Sequence, residues 1–120
     1  MKIALTCTDK EIEAEVDQRF GRSPYFLLYE LDDDSFEFVE NTQSLNLPQG
    51  AGIQSAKTVV DNGAKAVLTG HCGPNAFTAL SKADVKIFVN VKGKIKDVIR
   101  AYKEGKLQQA TTPDVEGHWV

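Results

Sequence analysis

Residues 65–77 read Lys65-Ala66-Val67-Leu68-Thr69-Gly70-His71-Cys72-Gly73-Pro74-Asn75-Ala76-Phe77. A short uncharged run suited to a buried strand leads into a turn bracketed by two glycines. Pro74 then fits the first turn of a helix, where its missing N–H has no helical partner. Strand, turn and helix in that order place the turn at the carboxyl end of a strand. In open α/β sheets ligands bind at that edge, and the first amides of the following helix add a partial positive charge to it. His71 and Cys72 thus stand at a candidate site.

Working outward, Lys2 to Cys7 reads as a strand, and Tyr25 to Leu31 and Phe36 to Asn41 read as a hairpin closed by Asp32-Asp33-Asp34-Ser35. Between Gly50 and Asn62, the apolar Ile53, Ala56, Val59 and Val60 mark one helical face, and Gly63 supplies a stop. A second helix places Phe77 and Leu80 inward. Val85, Ile87, Val89 and Val91 alternate with polar residues as a further strand. Ile95, Val98, Ile99 and Tyr102 then fall at i, i+3, i+4 and i+7, with Gly105 just beyond. The tail from Gln108 to Val120 reads as irregular. The order β-β-β-α-β-α-β-α predicts an antiparallel meander followed by parallel strands that return through helices, a mixed α/β sheet. If the first strand lies parallel to the fourth, Cys7 and Cys72 share one edge.

The 120 residues, 42% of them apolar, suit one domain over 1–120 that needs no disulfide or metal staple. A net charge of −3 gives no basic field, which argues against nucleic acid or an anionic membrane as a general partner. Neither a signal peptide nor a membrane-spanning run is legible, so a cytoplasmic location is expected, where Cys7 and Cys72 stay reduced.

Five stretches occur in an order that carries a resemblance: Lys2-Ile3-Ala4, Arg19-Phe20-Gly21-Arg22-Ser23-Pro24-Tyr25-Phe26, Gly50-Ala51-Gly52-Ile53, Gly70 to Phe77, and Gly105-Lys106-Leu107. Together they resemble the dinitrogenase iron-molybdenum cofactor biosynthesis family over essentially the whole chain. The resemblance implies a ribonuclease H-like α/β fold, with a mixed five-stranded sheet of order 3-2-1-4-5 and three helices. It also implies work in metallocofactor biosynthesis, related to nitrogen fixation, in which some members carry or insert iron-molybdenum cofactor or its iron-sulfur precursor. The sequence departs from the family twice. A histidine common ahead of the first helix is replaced within Leu47-Pro48-Gln49-Gly50, and His71-Cys72 adds donors where the family often has an amide or small residue and an apolar one.

The chemistry can be weighed residue by residue. Two-metal nucleases need carboxylates converging to hold divalent ions about 4 Å apart. The first strand carries none, and neither does Ala66 to Thr69. A Cys–His nucleophile needs its imidazole within hydrogen-bond reach of the thiol, which adjacent residues rarely achieve because their side chains diverge. A non-catalytic role is therefore expected. An anionic metal–sulfur cluster asks for soft donors, cations and close backbone amides. Cys7, His71 and Cys72 are the candidate metal ligands. Arg19, Arg22, Gly50, Gly52, His71, Cys72 and Gly73 are the candidate cluster-binding residues. Without four cysteines the chain cannot build a ferredoxin-type site, so transient binding of an iron-sulfur or iron-molybdenum cluster, or a site shared in a homodimer, fits better. Proteins that donate or accept the metallocofactor are the expected partners.

Plainer roles compete at each position. Free cysteine packs well in cores, so Cys7 alone reads first as a core residue. His71 can serve backbone groups of its turn, and Arg19 and Arg22 can pair with Glu15 or Asp17. Three other functions stay open: a regulatory or protein-interaction module without a cluster, a small-anion or nucleotide binder using the same loops, and an enzyme.

Overall fold

The computed structural model describes residues 1–41 and 51–112. Strands β1 (Lys2–Cys7), β2 (Tyr25–Glu30) and β3 (Phe36–Glu40) form the meander, with a 3-10 turn over Phe20–Arg22 ahead of β2. They are followed by α1 (Ala51–Asp61), β4 (Ala66–Leu68), α2 (Pro74–Lys82), β5 (Lys86–Phe88) and α3 (Ile95–Lys103). The sheet order is β3-β2-β1-β4-β5, the mixed order that the family resemblance implied. β1 runs antiparallel to β2, with Cys7 opposite Tyr25, and parallel to β4, with Leu5 opposite Leu68.

Side-chain alternation along β1 divides the interior in two. Ile3, Leu5 and Cys7 face a core completed by Leu27, Tyr29, Ala66, Leu68 and the inner stripe of α3, Ile95, Val98 and Ile99. Ala4 faces the other core, with Phe26, Leu28, Val67 and Ile87 from the sheet and Ala56, Val59, Ala76 and Leu80 from α1 and α2. A fully buried Leu, Ile or Val contributes roughly 1.5–3 kcal/mol, so both faces of this central strand help hold it. Pro74 opens α2, with Gly73 as its N-cap, as the sequence predicts. Gly63 follows α1 at φ 82°, the left-handed conformation that stops a helix.

Two sequence expectations change. The alternation over Val85 to Val91 predicts one strand, whereas β5 covers only Lys86–Phe88. Asn90 has φ 61°, and the turn it makes sends Val91 to the α3-side core while Val85, Ile87 and Val89 stay with the other. Of the tail, residues 108–112 are described, and there one bridge interrupts the irregular course that the sequence predicts. Gln109 bridges Phe88, and the Ala110 N–H donates to the Ile87 carbonyl at 2.7 Å, which covers part of the β5 edge. No helix among the described residues is long and apolar enough to cross a membrane.

Candidate functional site

β1 and β4 end side by side in buried hydroxyls. Thr6 Oγ1 and Thr69 Oγ1 lie 2.9 Å apart, and Thr6 Oγ1 is 2.7 Å from the Asp17 carbonyl oxygen. The Asp17 carbonyl oxygen also lies 3.4 Å from Thr69 Oγ1, so it accepts from either hydroxyl. The Asp17 N–H returns a bond to the Thr6 carbonyl at 3.0 Å. The loop after β1 is thereby fastened across the carboxyl ends of both parallel strands.

Gly70 brings that loop into contact with the turn. A Cβ at residue 70 would stand 2.5 Å from Gln18 Oε1 and 2.7 Å from the Gln18 Cα and carbonyl oxygen, so only glycine admits this approach. Gln18 Nε2 donates to the Val91 carbonyl at 3.2 Å, and the Asn90 N–H donates to the Gly70 carbonyl at 2.8 Å. One residue further on, Arg19 and His71 form a parallel bridge in which the Phe20 N–H donates to the His71 carbonyl at 3.1 Å. Asp17 Oδ1 accepts from the Arg19 backbone N–H at 3.0 Å, which fixes the entry to the 3-10 turn.

Arg19, Arg22, His71, Cys72 and Gly73 are therefore brought to one end of the sheet. Arg19 is exposed, and Arg22 and His71 are half-buried, so a cationic loop and an imidazole border the same turn. Cys72 is fully buried in the α1/α2-side core, with Sγ 3.8 Å from the Gly73 carbonyl oxygen. Gly73 is the N-cap of α2 and offers no side chain to its first amides. Gly52 is buried in the first turn of α1, which packs on α2 and on the 3-10 turn. Gly50 lies outside the described residues, as do His118 and Trp119.

Cys7 ends at the same edge but on the other face. It belongs to the α3-side core, so the sheet separates its side chain from that of Cys72. Burial, reinforced by the charge of Asp17, pushes the Cys7 thiol up to about 12, which keeps it protonated at neutral pH. The three-residue ligand set Cys7, His71 and Cys72 is not assembled: among the described residues no group of three or more His, Cys, Asp or Glu is placed to hold a metal ion. The reason is the two-residue period of β1, which puts Cys7 in phase with Ile3 and Leu5.

Sequence reasoning missed Thr6, Thr69, Asp17 and Gln18, which set the loop. The available signal was a threonine at the end of each apolar run in two strands expected to be neighbours. It also missed Ser23 and Asn41. Ser23 Oγ accepts from the Cys7 N–H at 3.1 Å, and Asn41 Nδ2 reaches the Ser23 carbonyl and Ser55 Oγ, both at 2.9 Å. Asn41 therefore ties the cationic loop to β3 and α1 from beneath.

Comparison with known proteins agrees with this architecture. Residues 1–105 match the family model described as dinitrogenase iron-molybdenum cofactor. The apo form of the orange protein from Desulfovibrio gigas superposes with a TM-score of 0.92 at 32% identity, covering 95% of this chain and 96% of that one. A candidate NifB protein from Thermotoga superposes at 0.84 with 31% identity, covering 97% and 98%. A protein from Methanocaldococcus jannaschii named as a candidate dinitrogenase shares the fold at 0.72, with 20% identity and coverage of 94% and 97%. No curated protein matches the sequence.

Proposed function

Because the chain belongs to the dinitrogenase iron-molybdenum cofactor family, we propose that it is a non-catalytic carrier for an anionic iron-sulfur or iron-molybdenum cluster, or its precursor, exchanged with partner proteins during metallocofactor assembly. The observation that carries this reading is the bridge between Arg19 and His71, which sets a cationic loop against the turn that opens α2. An anion lying there meets guanidinium charge, an imidazole and the first amides of a helix. The cluster is cargo. Such a guest is held by charge and hydrogen bonds, with the half-buried His71 and the buried Cys72 both in the turn. The similar protein named for its orange colour and described in an apo form lends support, since unmodified side chains absorb no visible light.

Anaerobic reconstitution with iron, sulfide and molybdate tests the proposal. The wild-type chain should acquire visible absorption and metal that survives gel filtration. His71→Ala and the Arg19→Gln/Arg22→Gln pair should load less while retaining the wild-type circular dichroism. A colourless wild-type chain that instead retains inorganic phosphate would replace the carrier with a small-anion binder.

A further inference from the structure

The outer edge of β3 is short and carries the charges of Glu37 and Glu40, but it lacks the other devices that blunt an edge strand. Phe36 to Glu40 contains no proline or lysine, and its register with β2 runs unbroken without a bulge. Phe36 is 49% exposed, on the same face as the half-buried Phe38 and in contact with it. The hydrogen bonds flanking the hairpin fix which backbone groups point outward. The Glu30 N–H donates to the Ser35 carbonyl and the Asn41 N–H to the Pro24 carbonyl, so Glu37 and Val39 turn their N–H and C=O groups toward β2. Phe36, Phe38 and Glu40 consequently turn theirs away from the sheet, and no strand lies beside them among the described residues.

We propose that this edge pairs with a second copy of the chain, β3 against β3 in antiparallel register about Phe38, joining two sheets into one. In that register Phe38 faces its counterpart and Phe36 faces the second copy's Glu40, and both are positions where outward N–H and C=O groups meet reciprocally. On the other face Glu37 meets the second copy's Val39, so no like charges stand directly opposite. Charge complementarity selects this occupant. Beside Phe36 opens a cleft of about 330 Å³ whose rim carries Lys96, Arg100 and Lys103 from α3. Lys96 is paired with Glu13 and Lys103 with Asp34, whereas Arg100 forms no ion pair with a described residue. The second copy's Glu40 arrives beside this rim and brings a carboxylate to it. The pairing lies apart from the Arg19–His71 turn and does not depend on the cargo.

Sedimentation of the full chain over a concentration series should show a reversible monomer–dimer equilibrium. Arg100→Glu should weaken it about tenfold, equivalent to about 1.4 kcal/mol, and the swap Arg100→Glu/Glu40→Arg should restore it. Hydrogen exchange gives a second reading: the amides of Phe36, Phe38 and Glu40 should gain protection as concentration rises, while those of Glu37 and Val39 stay protected throughout. A chain that remains monomeric at every concentration, or a dimer indifferent to both variants with fast-exchanging Phe38, overturns the proposal.

Discussion

The backbone of Gln18 rests on Gly70 so closely that a Cβ on residue 70 would come within 2.7 Å of the Gln18 Cα and carbonyl oxygen. That contact precedes the Arg19–His71 bridge by one residue in both segments, and so sets the spacing between the cationic loop and the turn. Gly70→Ala should therefore cost about 1–3 kcal/mol in denaturant unfolding, as overpacking typically does. It should also speed hydrogen exchange of the Phe20 amide, which bonds to His71. Adding Gln18→Ala should not restore either property, because the Gln18 backbone atoms remain.

The hydroxyl relay beneath the loop should respond unequally to substitution. Thr6→Val removes the hydroxyl that donates to the Asp17 carbonyl at 2.7 Å and bonds Thr69 Oγ1, with an expected cost of about 1–3 kcal/mol. Thr69→Val leaves the Thr6–Asp17 bond in place and should cost less. Equal losses in chemical denaturation would show that the 2.7 Å bond from Thr6 contributes no more than the 3.4 Å contact from Thr69.

Asn90 holds φ 61°, a conformation that costs an ordinary residue about 1–2 kcal/mol. Asn90→Gly should fold with nearly unchanged stability, whereas Asn90→Val should lose at least that amount and lower the thermal midpoint. The valine variant puts a strong strand former between Val89 and Val91, which sets strand propensity directly against the left-handed turn.

Alkaline stability should carry the signature of Cys7. Its thiol rises from 9.0 to about 12 in the folded chain, chiefly through burial. The folded form thus keeps a proton that the unfolded form releases, so this contribution to stability is complete below pH 9 and disappears as pH climbs toward 12. Tyr29, Tyr102 and Lys103 are also raised and act in the same direction. The thiol's share is the difference between the wild type and Cys7→Ala: the variant should lose less stability between pH 9 and pH 11.

The strand–turn–helix around Gly70 was legible because each step has a local cause: an apolar run, two glycines, and proline in a helix's first turn. α3 was legible for the same reason, its stripe repeating at the helical period. The resemblance supplied the sheet order, which local pattern does not fix. What escaped reading depends on residues far apart in sequence. Thr6 meets Thr69, and Gln18 meets Gly70, only after β1 and β4 lie parallel, and no local signal announces such a meeting. The grouping of Cys7 with His71 and Cys72 failed for a reason present in β1 itself: the phase of Ile3, Leu5 and Cys7 already assigns the thiol to one face.

Placing one thiol in each core gives the molecule two built-in reporters of opening. Cys7 lies under α3 and Cys72 under α1 and α2, and both are fully buried. An alkylating reagent reaches the first when the α3 layer lifts and the second when the paired helices part. If the two layers unfold together, both cysteines label at one rate after allowance for the reluctant ionisation of Cys7. If cargo exchange requires only the α1/α2 layer to yield, Cys72 labels first under native conditions, and the difference measures the cooperativity across the sheet.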